Sequence, residues 1–164
     1  MIQSFDYNFN KLLKKLDSNN NFILGLSGGI DSMTLLHLIR NFIDDKKNIS
    51  INCMPVIVDH NLRNESEKEA KEVKKISQNL GFDTKIRKIK TSQPNGNIQN
   101  WARKHRRNIL YQKCLDLSAN LILAHHFDDQ AETMFMRMIK NSALDGLSGM
   151  SEISSWNGVF IIRP

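Results

Sequence analysis

Apolar positions along this chain follow two alternating rhythms, and together they predict its elements. The runs "FILGL" (22–26) and "INCMPVIVDH" (51–60) read as buried strands, the second with a bulge or irregularity at Pro55, which cannot donate to a ladder. Between them Leu35, Leu36, Ile39, Phe42 and Ile43 recur at the spacing of one helix face. A short helix is expected ahead of the first strand, around Phe9–Leu16. After the second strand, Asn64 with Glu67 has the form of a capping box. Ala70, Val73, Ile76 and Leu80 mark the buried stripe of the helix it starts, and Gly81 stops it.

The rhythm continues with a strand at "FDTKIRKI" (82–89), a loop at "TSQPNGN" (91–97) and a helix from about Ile98 to Leu117. A strand at "NLILAHH" (120–126) follows, then a helix from near Asp128 with Ala131, Phe135 and Met138 facing inward, and a last strand in "GVFIIRP". No repeat or low-complexity segment interrupts the series. Strands alternating with helices predict an α/β fold, a three-layer, mostly parallel, Rossmann-like sheet.

Length fits this picture, since 164 residues suit one domain with a real core. The hydrophobic share of 40% and charged share of 24% are globular values. No apolar run approaches the roughly 18 residues of a membrane span, and the first residues lack the apolar centre of a signal peptide. Cys53 and Cys114 stand far apart with no Cys-x-x-Cys pair, so neither a disulfide framework nor a structural zinc site is expected. A reducing cytoplasm is the expected location.

Charge changes the picture more. The net charge is +6, yet residues 84–115 hold no Asp or Glu and nine of the 23 basic residues: Lys85, Arg87, Lys88, Lys90, Arg103, Lys104, Arg106, Arg107 and Lys113. The rest of the chain has 14 basic and 17 acidic residues, a net of −3. The segment reads equally as a solvated basic face or as the footprint of a polyanion.

In a parallel α/β sheet, ligands gather beyond the carboxyl ends of the strands. Three motifs fall there: Ser27-Gly-Gly-Ile-Asp-Ser32, Val58-Asp-His-Asn-Leu-Arg63, and Ala124-His-His-Phe-Asp-Asp-Gln-Ala-Glu-Thr133. The first could be plain strand-to-helix punctuation. It is neither a Walker A loop, lacking Gly-Lys-Ser/Thr, nor a dinucleotide fingerprint, lacking G-x-G-x-x-G. Its glycines and helix-start amides suit an anion, while Asp31 would repel one unless a divalent cation bridges them; magnesium pyrophosphate meets both demands. In the third motif adjacent histidines point apart and no His-x-x-x-His pair exists, which disfavours a zinc hydrolase. Asp128 reads as a helix cap, whereas Asp129 and Glu132, one turn apart, share a face suited to magnesium or substrate. His60 could be a satisfied core histidine, but its strand-end place between Asp59 and Arg63 favours a site role. Met134, Met136 and Met138 read as core filling.

Ser27–Ser32 resembles the PP-loop of the ATP-pyrophosphatases, which cut ATP between its α and β phosphates and adenylate a substrate. Within that superfamily "VDHNLRNES", "WARKHRR" and "AHHFDDQAETMFMRMIKNSALDGLSGM" resemble the tRNA(Ile)-lysidine synthetase family, and the likeness runs from Phe22 to Pro164. The resemblance implies a PP-loop ATPase fold (adenine nucleotide alpha hydrolase-like), with residues 1–164 as the catalytic part at the N-terminus of a longer multidomain chain. It implies ATP-dependent adenylation of the wobble cytidine of an isoleucine tRNA with a CAU anticodon. Free L-lysine then displaces AMP to form lysidine. ATP and Mg2+ are the implied cofactors, and a homodimer is left open.

By the same resemblance Ser27, Gly28, Gly29, Ile30, Asp31 and Ser32 hold ATP, with Asp31 placing the metal, and Asp59, His60 and Arg63 line the nucleotide crevice. Asp31, Asp129 and Glu132 are the implied catalytic residues, with Asp129 as a second metal ligand. Arg103 and Arg106 would face phosphate or tRNA, and Arg107 and Lys88 of the basic segment join them as expected tRNA contacts. The sequence departs from the family at Arg107, where a tyrosine is usual, and at Asn141 and Ala143, where glycines are usual. A PP-loop tRNA thiolation enzyme is the alternative, which the missing cysteine pair disfavours. A nucleotide-binding module without chemistry is a second alternative, which leaves the carboxylates and basic segment without a purpose.

Overall fold

A computed structural model of the chain describes residues 2–16, 19–45, 50–63, 65–91, 94, 96–124, 152–156 and 158–164. In chain order the elements are α1 (Ile2–Leu13), β1 (Asn21–Leu26), α2 (Ile30–Asp45), β2 (Asn52–Asp59), α3 (Ser66–Asn79), β3 (Lys85–Lys88), α4 (Ile98–Asp116), β4 (Asn120–Leu123), β5 (Ile153–Trp156) and β6 (Val159–Ile162). The strands form one six-stranded sheet in the order β3-β2-β1-β4-β6-β5. Every pairing is parallel except that of β5 with β6. The architecture is the mostly parallel α/β sheet with flanking helices that the alternation predicts.

Side-chain alternation along β1 sorts the two faces. Phe22, Leu24 and Leu26 enter one core with Phe9 of α1, Leu36, Ile39 and Phe42 of α2, and Ala70 of α3. Ile23 enters the other, with Leu110 and Cys114 of α4, Leu121 of β4 and Ile161 of β6. β1 is buried at every position but its first, as expected for a strand covered on both faces.

Several boundaries and contacts depart from the sequence pattern. α1 starts at Ile2 and not near Phe9, because Phe5 joins the core and stacks on Phe9 at a ring distance of 5.3 Å. Pro55 produces no bulge: it stays in register with Leu24, at a point where β3, which pairs only from Val56, has not yet begun. The N-cap of α3 falls one residue later than the capping-box spacing predicts. Glu65 occupies the N-cap without a side-chain cap bond, and the Glu67 carboxylate takes Lys71 at 2.6 Å and Lys88 at 3.3 Å instead. Ile76 is 45% exposed, and the buried position on that face is Ser77, whose hydroxyl pairs with that of Thr84 at 2.6 Å. β3 is four residues long, because Phe82 and Thr84 are held in a turn against α3 by Phe82 N–H to Ser77 O and Thr84 N–H to Phe82 O. Strand β5 was not anticipated. Asn64, the last two residues of the expected 120–126 strand and the helix expected from Asp128 lie outside the described residues.

Candidate active site

β1 is the hinge of the topology. Its neighbours are β2 on one side and β4 on the other, so the chain reverses its winding there. The crevice beyond the carboxyl ends of β1 and β4 is the switch point at which open parallel sheets bind ligands. Ser27 follows β1 directly, and α2 begins at Ile30.

The turn between them is closed by its own serines. Ser27 N–H donates to Ser32 Oγ at 3.2 Å, the two hydroxyls lie 3.0 Å apart, and Ser32 Oγ donates to Gly29 O at 2.9 Å. Ser32 has one hydroxyl hydrogen, and that bond takes it; the Ser27 hydroxyl is therefore the donor between the two. Gly29 N–H completes the ring on Ser27 Oγ at 3.4 Å. Gly28 sits at φ +81°, a conformation that suits glycine. The first intrahelical bond is Met33 N–H to Gly29 O at 3.0 Å, so the amides ahead of it are outside the helical ladder. That is the donor set a helix start offers to an anion. Ser32 is buried, the loop and Asp31 are exposed, and Ile30 is 82% exposed.

The second loop is organised by Asp59, which is buried and accepts Asn61 N–H at 2.8 Å, while Asn61 adopts a left-handed φ of 51°. That Asx-type turn presents His60 at the strand end. His60 is half-buried with no hydrogen-bond partner for its Nδ1 among the described residues. Burial and the Arg106 charge hold its imidazole below the ordinary value of 6.5, against an opposing pull from Asp59. Arg63 turns to α3, donating to Glu69 at 3.2 Å.

The basic residues separate into different roles. Arg103 is exposed on α4. Arg106, one turn on, is half-buried, and its Nη2 lies 3.8 Å from where a Cβ on Gly25 of β1 would stand. No carboxylate among the described residues lies within ion-pair reach of it. Burial first, and Arg103 second, hold its guanidinium below the usual arginine range. Arg107 lies over the Trp156 ring at 4.7 Å, a cation–π contact that Tyr111 flanks at 4.2 Å. Lys88 is paired with Glu67 and Lys85 with Asp83 at 2.8 Å, leaving Arg87, Lys90, Arg103 and Lys104 as exposed cations of the segment.

The structure thus brings Ser27–Ser32 together with Asp59 and His60 at the carboxyl ends of adjacent strands, with the Arg106 charge near enough to act on His60. His125, His126, Asp128, Asp129, Glu132, Asn141 and Ala143 lie outside the described residues, and no group of three metal-ligating side chains occurs among those described. Two contributors were missed in the sequence. Gly25 leaves room for Leu123 and Leu110, which a Cβ there would meet at 2.7 and 3.0 Å, and a glycine inside a strand run is itself a sign of close approach. Trp156 was passed over although Asn157-Gly158 after it is a hairpin dipeptide.

A family model described as a PP-loop domain matches residues 1–164. The chain is 41% identical over 151 residues to a tRNA(Ile)-lysidine synthase of Wolbachia sp. subsp. Brugia malayi, covering 89% of this chain and 34% of that protein. It is 38% identical to one from Streptococcus gordonii, covering 87% and 32%. The chain therefore spans about a third of the length of these curated relatives. Among solved structures it is similar to the U34-tRNA thiolase NcsA from Methanococcus maripaludis with its [4Fe-4S] cluster, at a TM-score of 0.77 and 21% identity over 99% of this chain and 58% of that one. It is also similar to NAD+ synthetase from Burkholderia pseudomallei, at 0.57 and 13% over 76% and 61%. At these identities the two structures speak for the fold.

Proposed function

The chain belongs to the PP-loop domain family, and we propose that it is the ATP-binding, adenylating part of a tRNA(Ile)-lysidine synthetase. The observation that carries this reading is the Ser27–Gly29–Ser32 ring at the sheet's switch point. The names of relatives at 34–41% identity support the choice of reaction.

In the proposed reaction the oxygen of the wobble cytidine base, in an isoleucine tRNA with a CAU anticodon, attacks the α-phosphorus of ATP in line. The bond to the bridging oxygen breaks and pyrophosphate leaves. The amine of free lysine then attacks the activated base carbon, AMP departs, and a proton is lost as the C–N bond forms. No protein nucleophile is required; the chain's task is to orient the triphosphate and stabilise charge on the departing pyrophosphate. The loop amides and serine-closed turn meet the phosphates, with His60 and Arg106 on the neighbouring wall.

The donor set fits magnesium. Magnesium takes one or two carboxylates plus substrate phosphates and water, and Asp31 on the first turn of α2 offers one such carboxylate beside the cradle. Asp129 is proposed as a second, with Glu132 at the reacting centre. The ion would neutralise phosphate charge. A cytoplasmic setting goes with this substrate; no helix among the described residues is long and apolar enough to cross a membrane.

Sulfur transfer fits less well. The 164 residues hold two cysteines, and burial pushes both the Cys53 and Cys114 thiols up to about 12. Neither is a ready thiolate nucleophile or cluster ligand. The test is ATP–pyrophosphate exchange with and without the isoleucine tRNA transcript, followed by mass analysis of its anticodon nucleosides. Exchange that depends on the tRNA, with lysidine formed when lysine is added, supports the reading. A thiolated nucleoside, or exchange indifferent to the tRNA, refutes it.

A further inference from the structure

The glycine that shapes the phosphate loop is filled from behind. A Cβ added to Gly28 would stand 2.7 Å from Cγ2 of Val73 on α3, a separation that real Cβ atoms essentially never show. Gly28 therefore has two separate reasons to be glycine, its φ of +81° and the methyl beneath it. Val73 itself is half-buried and packs on the edge of the α1–α2 core.

The helix that carries Val73 is anchored around the same crevice. Glu69 of α3 holds Arg63 of the second loop at 3.2 Å, and Glu67 holds Lys88 at the carboxyl end of β3 at 3.3 Å. α3 thus touches the phosphate loop, the loop after β2 and the end of β3. A β-branched side chain is stiff in a helix, having one strongly preferred rotamer, so its methyl is a fixed stop and not a yielding one.

We propose that Val73 is a positioning residue: its methyl wedges against Gly28 and holds the loop in the conformation that receives the phosphates of ATP. The inference rests on reading Ser27–Ser32 as the ATP cradle. The wedge acts on the loop's freedom before binding. A loop already fixed loses less entropy when the ligand arrives, and this raises affinity without any contact between Val73 and ATP.

A double-mutant cycle tests it, using the full chain and Mg-ATP titrated calorimetrically, with thermal midpoints of the nucleotide-free proteins in parallel. Val73→Ala is expected to weaken ATP binding about five- to tenfold, and Val73→Thr, which keeps the branched shape, to stay within about twofold of the parent. Gly28→Ala should bind far more weakly, and adding Val73→Ala to it should recover part of that loss, since the clash is relieved while the φ strain remains. The wedge predicts this coupling in affinity as well as in thermal midpoint. Additive affinities in the cycle overturn the proposal, even if the midpoints couple, because Val73 would then be core filling alone. A parent chain that binds no ATP overturns this inference and the reading beneath it together.

Discussion

Arg106 offers a test in which stability and function should move in opposite directions. Its guanidinium is half-buried, has no carboxylate within ion-pair reach among the described residues, and is opposed by Arg103. Removing a charge fully from water costs several kcal/mol after relaxation. With part of the side chain still wet, a cost of about 1–2 kcal/mol remains in the ligand-free chain. Arg106→Met keeps most of the apolar stem and deletes the charge, so the variant should be more stable than the parent. For a chain of this size about 1 kcal/mol moves the midpoint by about 2–4 °C, giving an expected rise of roughly 2–8 °C. The same variant should bind Mg-ATP or tRNA at least tenfold more weakly, because a partly desolvated cation near His60, without a carboxylate partner among the described residues, is a receptor for phosphate. The assays are scanning calorimetry of the nucleotide-free proteins and equilibrium binding. Arg103→Met, on the exposed side, serves as control and should leave the midpoint within the shift equivalent to about 0.5 kcal/mol. An Arg106→Met chain that melts below the parent, or that binds both ligands unchanged, refutes the reasoning.

Three further outcomes follow from the site. Asp31→Ala should abolish AMP formation in a chain that still melts cooperatively, since the exposed Asp31 carboxylate is the proposed metal ligand beside the cradle; turnover like the parent's would remove the magnesium assignment. Arg103→Gln should lower the slope of log tRNA affinity against log salt by about 0.7–0.9, and Lys88→Gln by clearly less, since Lys88 already holds Glu67; equal slopes for parent and Arg103→Gln would make this face solvated surface only. His60 titrates below 6.5 when folded, so the unfolded chain binds its proton more readily. Its stabilising contribution is therefore fully present above about pH 6.5 and is lost as pH falls through the lower folded value; urea midpoints from pH 5 to 8 should show that slope in the parent and a flatter one in His60→Gln.

The fold was legible where burial alone sets the pattern. "FILGL" reads as a strand covered on both faces because nothing polar interrupts it, and Leu35, Leu36, Ile39 and Phe42 all end up buried. Legibility failed where a local rule met a tertiary competitor. Asn64 and Glu67 have the spacing of a capping box, yet α3 takes Glu65 as its N-cap and the Glu67 carboxylate pairs with Lys71 and Lys88. Ile76 satisfies the helix period, but its place on α3 goes to Ser77, because Thr84 offers the serine a buried partner that a periodicity count cannot see.

The candidate site divides along the same line. Ser27–Ser32 could be read directly because every bond that shapes it runs between residues at most five apart, so sequence proximity is spatial proximity. The basic segment could not. Nine cations without an acidic neighbour in sequence look like one surface, but Lys88 meets a glutamate 21 residues away and Arg106 turns inward toward a glycine of β1. Arg107 meets a tryptophan on the last hairpin. Sequence fixes how many charges a segment carries, whereas the fold decides which of them remain available to a ligand. Among the described residues that leaves Arg103, exposed on α4, and Arg106, half-buried with no carboxylate in ion-pair reach, as two of the cations still available to phosphate.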